Sequence, residues 1–165
     1  MRAFFGLGLA AAVLALTAGC NKNTSTTGGG GDGSGGAGFS SRPPEGTFVI
    51  VAMEMNGEAM PADAFAKSPE ADRTIKIGGG KMTVNKGGKD DSIAVHFDPS
   101  QKPAHITTTE TKEGGKTETM YGIYKLEGDV LTICGVDKAK GEDERPKEFK
   151  TTKGGKEMLM TLKKK

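Results

Sequence analysis

The sequence predicts an all-β fold, an eight-stranded antiparallel up-and-down barrel that occupies residues 44–165. Short segments rich in β-branched and aromatic residues alternate with turn residues throughout this region. Glycine pairs, such as those at 87–88 and 114–115, supply the positive φ angles that tight hairpin turns need. Consecutive hairpins pair each strand with its neighbour in sequence, and eight strands are enough to close a small barrel.

The first twenty residues are typical of an export signal. Arg2 is followed by the uncharged stretch 3–18, which has the length of a signal-peptide core and is short for a membrane span of about 20 residues. The run LTAGC at residues 16–20 resembles the lipobox of bacterial lipoproteins, with Thr17 where leucine is the usual residue. That resemblance implies that the thiol of Cys20 carries lipid. The alternative is an ordinary secretory leader whose cleavage site lies near a cysteine by chance.

A signal peptide over residues 1–19 would be followed by a lipidated cysteine and a tether over residues 20–43. The tether is rich in Gly, Ser and Thr and has almost no apolar side chains, so it cannot bury enough surface to fold. As a random coil it would span roughly 26 Å. Two or more acyl chains anchor a protein stably, at about 0.8 kcal/mol per buried methylene. We therefore expect a membrane-anchored lipoprotein of the cell envelope that faces the periplasm or the exterior.

Composition narrows the function of the domain. The chain has 23 basic and 21 acidic residues. Three basic residues and one acidic residue precede Pro44, which leaves 20 of each in the domain. A balanced charge of this kind does not favour nucleic acid as a partner. If Cys20 is lipidated, Cys134 has no second cysteine to pair with, and we interpret it as a small strand residue in preference to a reactive thiol.

Each predicted element rests on its own pattern. Proline at the first helical position, followed by alanines, predicts one short helix at 61–67 between the first and second strands, with Phe65 as its apolar contact. The strands are segments of alternating apolar and polar residues bounded by turn residues. They are predicted at 47–55, 73–77, 81–85, 92–98, 105–111, 117–126, 130–134 and 157–163.

Strand alternation also predicts which side chains point into the barrel. His96 and His105 fall on the opposite, outward face. The predicted interior consists of medium-sized aliphatic residues, methionines and a few aromatic residues: Phe48, Ile50, Ile75, Ile77, Met82, Val84, Ile93, Val95, Phe97, Ile106, Tyr121, Ile123, Leu131, Ile133, Met158, Met160 and Leu162.

Four stretches together are similar to an uncharacterised domain family that is expanded in planctomycete bacteria and often found on exported proteins. They are EGTF at 45–48, MNGE at 55–58, GIYKLEGD at 122–129 and ERPKEF at 144–149. That family resembles lipocalins, which agrees with the predicted barrel. Membership of the family implies no activity. Gly46 and Phe48 also resemble the Gly-x-Trp opening of lipocalins, with phenylalanine in place of tryptophan. The lipocalin likeness implies that Arg145 packs over Phe48 as a cation–π pair; the alternative is that Arg145 is a loop residue paired with a nearby acid.

Motifs for catalysis are not found in the sequence. It contains no His-Glu-x-x-His, no Cys-x-x-Cys and no nucleophile elbow, so we predict no enzyme activity, metal site or cofactor. Two hypotheses follow for the domain. In the first, the barrel binds a small apolar ligand or lipid. In the second, the barrel is filled by its own side chains and acts as a structural module that meets a protein or a wall polymer.

Overall fold

The computed structural model of the chain describes residues 42–165. The predicted signal peptide, Cys20 and all but the last two residues of the tether lie outside this part. The described part is all-β, and the prediction of a closed eight-stranded antiparallel barrel is confirmed. Within it the strands are β1 (Gly46–Met55), β2 (Glu58–Ala59), β3 (Thr74–Gly78), β4 (Lys81–Lys86), β5 (Lys89–Asp98), β6 (Ala104–Thr111), β7 (Thr117–Glu127), β8 (Val130–Val136) and β9 (Glu157–Lys164).

Each barrel strand pairs with the next one along the chain, and β9 returns to pair with β1. Tight turns set the register. Gly87 and Gly88 have φ angles of 59° and 85°, which two-residue hairpin turns favour and which other residues rarely adopt. The turn at 128–129 likewise places Glu127 opposite Val130. Every barrel strand was therefore predicted from turn residues and alternation, with ends that differ by up to three residues.

The seam between β1 and β3 is the irregular part of the wall. β1 pairs with β3 only over its first four residues, and a β-bulge between Ile50 and Ala52 shifts its register against β9. The predicted helix is present as α1 (Ala62–Lys67), and it is followed by a 3₁₀ turn at 70–73 that packs against β1 and β4. Arg73 of this turn donates a hydrogen bond to the carbonyl oxygen of Ile50 at 3.2 Å. The two-residue strand β2 was not predicted.

The barrel interior agrees with the predicted face except on β7. The other predicted strand residues are buried in the core, pack against it or line the cavity described below. On β7 the inward residues are Met120, Tyr124 and Leu126, so the prediction that Tyr121 and Ile123 point inward is wrong. The reason is register, because Tyr124 stands directly opposite the inward residue Ile133.

A long connection between β8 and β9, residues 137–156, crosses the outside of the barrel wall, and we name it the strap. Its residue Arg145 donates hydrogen bonds to backbone carbonyls of β6 and β7. Further along, the carbonyl oxygen of Lys150 accepts a hydrogen bond from Cys134 on β8. Thr151 bonds to Glu54 on β1 and to the backbone N–H of Gly57. The strap therefore gives this side of the barrel a second buried layer.

Candidate functional site

A cavity of about 340 Å³ lies inside one end of the barrel. We call this the open end; it carries the turns at 87–88 and 112–116. Aliphatic side chains from five strands and four methionines form most of its wall, and Thr108 is a buried polar residue within it. Its lining residues are Ile50, Asp72, Ile75, Met82, Val84, Asn85, Ile93, Thr108, Glu110, Glu118, Met120, Ile133, Asp137, Met158 and Met160.

Strand register explains why these side chains meet. Residues directly opposite each other on an antiparallel pair point to the same face of the sheet. Met82 stands opposite Ile93, and Ile133 stands opposite Met160. These pairs place apolar side chains from opposite walls of the barrel at the same level. A space remains between them, and none of the described residues that line it is aromatic.

Carboxylates form the rim of the cavity. Glu110 and Glu118 are direct partners on β6 and β7, and Asp72 and Asp137 lie at the same end of the barrel. Like charges placed opposite each other on a sheet repel. Outside the cavity, Glu110 pairs with Lys112, while Glu118 lies 3.8 Å from the ammonium group of Lys138. Among the described residues that line the cavity, none is basic.

The opposite end, which we call the closed end, is filled. The fully buried side chains of Pro44 and Phe48 lie there. Phe97 and Tyr124 meet edge to face, with ring centroids 5.0 Å apart and an interplanar angle of 76°. Burial raises the pKa of Tyr124, whose hydroxyl oxygen is enclosed with no hydrogen-bond partner among the described residues.

Arg145 does lie over an aromatic ring, but its partner is Tyr121 and not Phe48. The guanidinium carbon is 5.2 Å from the centroid of the Tyr121 ring on the outer face of β7. The same group donates hydrogen bonds to the carbonyl oxygens of Ile106 and Gly122 and to Glu142 at 2.8 Å. The predicted Phe48–Arg145 pair is therefore wrong, since Phe48 lies inside the barrel and Arg145 lies in the strap outside it. The alternative, a loop arginine paired with a nearby acid, describes the Glu142 contact.

Gly46 opens β1 with a φ angle of 126°, which other residues rarely adopt. A β-carbon at this position would stand 2.9 Å from the Cε atom of Lys164 on β9. Glycine therefore lets the first strand begin close beside the last one, next to Phe48. Gly46 and Phe48 thus lie where the first strand, β1, pairs with the last strand, β9, and completes the barrel wall.

Cys134 and His105 lie outside the barrel and do not contribute to the cavity. Cys134 is fully buried beneath the strap, burial raises the pKa of its thiol, and the sulfur donates to the Lys150 carbonyl at 3.5 Å. These features fit a small strand residue and not a reactive thiol. The imidazole of His105 lies 3.9 Å from Glu142. Burial and the nearby Arg145 guanidinium lower the pKa of His105.

Sequence patterns alone did not identify the rim or the buried polar group of the cavity. Glu110, Glu118 and Thr108 were not among the predicted inward residues, although each follows the same alternation as the inward residue Ile106 or Met120. The two-residue turn at 128–129 could have predicted the inward face of β7. This turn sets the register between β7 and β8, so assigning Leu131 and Ile133 to the core places their partners on β7 in the core as well.

No family model, curated protein or solved structure matches this chain. None of the helices within residues 42–165 is long and apolar enough to span a membrane. Over the same residues, no three or more His, Cys, Asp and Glu side chains are grouped so that they could hold a metal ion. The likeness to the planctomycete family and the lipobox therefore stay predictions.

Proposed function

We propose that this chain is a lipid-anchored protein of the bacterial cell envelope whose barrel binds a small, uncharged apolar molecule. The observation that carries the proposal is the cavity of about 340 Å³ at the open end. Small-molecule sites are typically concave, lined mainly by apolar side chains, and about 300–1,000 Å³ in volume. In this proposal the protein binds its ligand without transforming it, and so is not an enzyme.

The chemistry of the lining selects the ligand class. Methionines adapt to ligands of different shapes, because three rotatable bonds let the thioether move with little cost. Glu110 and Glu118 of the rim have lysine partners outside the cavity, whereas Asp72 and Asp137 add negative charge that would repel an anionic head group. No basic side chain is among the described residues that line the cavity. We therefore expect fatty alcohols and other uncharged amphiphiles to bind more tightly than fatty acids of the same length.

The anchor in this proposal is lipid attached to Cys20. It rests on the LTAGC run, on the apolar leader before it and on the polar tether after it. The Cys20→Ser variant should be absent from the membrane fraction and should lack the mass of the acyl chains. A variant that stays in the membrane fraction with unchanged mass would contradict the anchor and would leave the ligand proposal untouched.

Ligand binding can be tested with a fluorescent probe. The purified chain is titrated with the uncharged dye N-phenyl-1-naphthylamine, which is then displaced by dodecanol or by laurate. Saturable binding with stronger displacement by dodecanol is expected. Val84→Trp should abolish binding because Val84 lines the cavity, whereas Val130→Trp should not, because Val130 is exposed on the outer face. Absence of saturable binding would favour the alternative, a structural module that meets a protein or a wall polymer.

A further inference from the structure

Methionines are concentrated at the open end of the barrel by strand pairing. Met53 stands directly opposite Met160, and Met55 stands directly opposite Met158, on the neighbouring strands β1 and β9. Opposed residues of an antiparallel pair project from the same face, with β-carbons about 5 Å apart. Met160 packs against the barrel core, so all four thioethers belong to the inner face.

A fifth thioether joins this group across β8. Gly135 lies between β7 and β9, opposite Met158, and has no side chain to occupy the inner face. The sulfur of Met120 lies over it, since a β-carbon built on Gly135 would be 2.8 Å from that atom. Gly135 therefore allows Met120 to lie next to Met158. A sequence motif does not describe the whole group, because its five methionines lie on three strands that are far apart in sequence.

Thioether sulfur is a soft, uncharged donor that selects Cu(I) over hard cations such as Mg²⁺. The surroundings favour a cation, because Asp72 and Asp137 add negative charge to the cavity rim beside the lysine-paired Glu110 and Glu118. Those described residues that line the cavity include no lysine, arginine or histidine that would repel it. Met120, Met158 and Met160 line the cavity, while Met55 at the end of β1 is 51% exposed, so an ion could reach the sulfurs from solvent.

We propose that Met53, Met55, Met120, Met158 and Met160 form a binding site for a soft monovalent cation, Cu(I) or its redox-stable analogue Ag(I). Four of the five methionines come from two Met-x-Met segments, 53–55 and 158–160, whose period of two places both sulfurs of each segment on one face. The site lies at the mouth of the barrel, and it does not depend on the binding of an apolar molecule.

The test is a titration of the full chain with silver nitrate, followed by NMR of methionine methyl groups labelled with ¹³C. The chain carries Cys20→Ser and Cys134→Ser, because thiolates also bind soft cations. The methyl signals of the five site methionines should shift together and saturate. With Mg²⁺ in place of Ag(I), the same five signals should stay in place. If the Cys134→Ser variant fails to fold, the titration is repeated on the chain that retains Cys134. The methyl signal of each methionine is then followed separately.

Matched variants make the test specific. The Met158→Leu/Met160→Leu double variant should lose saturable Ag(I) binding, and Ile77→Leu/Ile106→Leu, with both exchanges in the core outside the cavity, should keep it. Leucine nearly conserves the volume of methionine and of isoleucine, and such exchanges usually cost less than about 1.5 kcal/mol, so both proteins should fold. Shifts that do not saturate, or undiminished binding by the first double variant, would overturn the proposal. It would also be overturned if Mg²⁺ moved the same methyl signals, since that would assign the site to the carboxylates.

Discussion

The two ends of the barrel are built from different side chains. At the closed end, Phe48 and Tyr124 are almost fully buried, and the ring of Phe97 meets that of Tyr124. At the open end, methionines and β-branched aliphatic residues surround a cavity of about 340 Å³. The wall also differs between the ends, because β1 pairs with β3 only over its first four residues, at the closed end, and a bulge follows between Ile50 and Ala52. Side-chain volume and this irregular seam together account for the space at the open end.

This difference separates stability from binding. Aromatic residues bury large surfaces and hold fixed geometries, so the closed end supplies a rigid core. Methionines have three rotatable bonds and tolerate altered surroundings, so the open end can change shape around a ligand at small cost. We expect substitutions at the closed end to lower stability strongly and those at the open end to change binding.

The largest expected effect is on stability at the closed end. Phe48→Ala should lower the free energy of unfolding by about 3–5 kcal/mol, because a fully buried ring is replaced by a cavity. Met158 lies at the open end with a half-buried side chain, so Met158→Ala should lower the free energy of unfolding by less than about 2 kcal/mol. Urea denaturation measures both values. Equal losses would show that the two ends contribute alike to the core.

The next effect concerns Arg145 of the strap, whose side chain lies outside the barrel wall. Arg145→Ala should lower the free energy of unfolding by about 2–3 kcal/mol, because the guanidinium group donates to two backbone carbonyls and to Glu142. Dye binding at the open end should be unchanged, since Arg145 lies outside the wall. Arg145→Lys is the matched control that keeps the charge but not the planar fork, and it should restore only part of the loss. Loss of binding in Arg145→Ala would mean that the strap shapes the cavity.

A smaller difference is expected between two glycines on neighbouring strands. A β-carbon on Gly122 would stand 2.6 Å from the Cys134 carbonyl oxygen and 3.1 Å from the α-carbon of Gly135. Backbone atoms cannot move aside easily, so Gly122→Ala should cost about 1–3 kcal/mol. Gly135→Ala would meet mainly the flexible end of Met120 and should cost less. Thermal melting compares them, and a reversed order would show that Met120 is held rigidly.

The smallest effect is a pH dependence from His105, on the outer face near the closed end. Burial and Arg145 lower the pKa of this imidazole, while Glu142 and Asp98 oppose the shift. The unfolded chain then binds a proton more readily than the folded chain, so stability should fall as the pH drops through about 6.5. His105→Gln should flatten this dependence between pH 7.5 and 5.5, and the matched variant His96→Gln should not. Urea midpoints at several pH values measure the change, which would be absent if His105 were fully solvated.

Much of this architecture follows from local sequence signals. Glycine pairs and alternation placed all eight barrel strands, because hairpin turns and the pleat are properties of neighbouring residues. Face assignment failed on β7, where GIY offers large apolar residues on both faces of the strand. Tyr121 and Ile123 are covered by the strap, and a covering from outside cannot be seen in a strand's own pattern. The same limit explains the wrong partner for Arg145, since its contacts depend on the path of residues 137–156.

The cavity was harder to predict than the fold. Methionines were predicted in the barrel interior, but sequence alone does not say whether side chains fill a barrel. That depends on the shape of the wall, including the bulge after Ile50 and the lack of side chains at Gly122 and Gly135. The bulge is defined against β9, which is distant in sequence, and the effect of each glycine depends on the neighbouring strand that approaches it.

The most direct test of the central claim, that the open end binds a ligand and the closed end is a filled core, is NMR of isoleucine δ1-methyl groups during a titration with dodecanol. Four isoleucines line the cavity, Ile50, Ile75, Ile93 and Ile133. The remaining three, Ile77, Ile106 and Ile123, lie elsewhere in the core or beneath the strap. The account predicts saturable shifts of the first four methyl signals and unchanged signals from the other three. Uniform shifts of all seven, or no shifts at all, would contradict it.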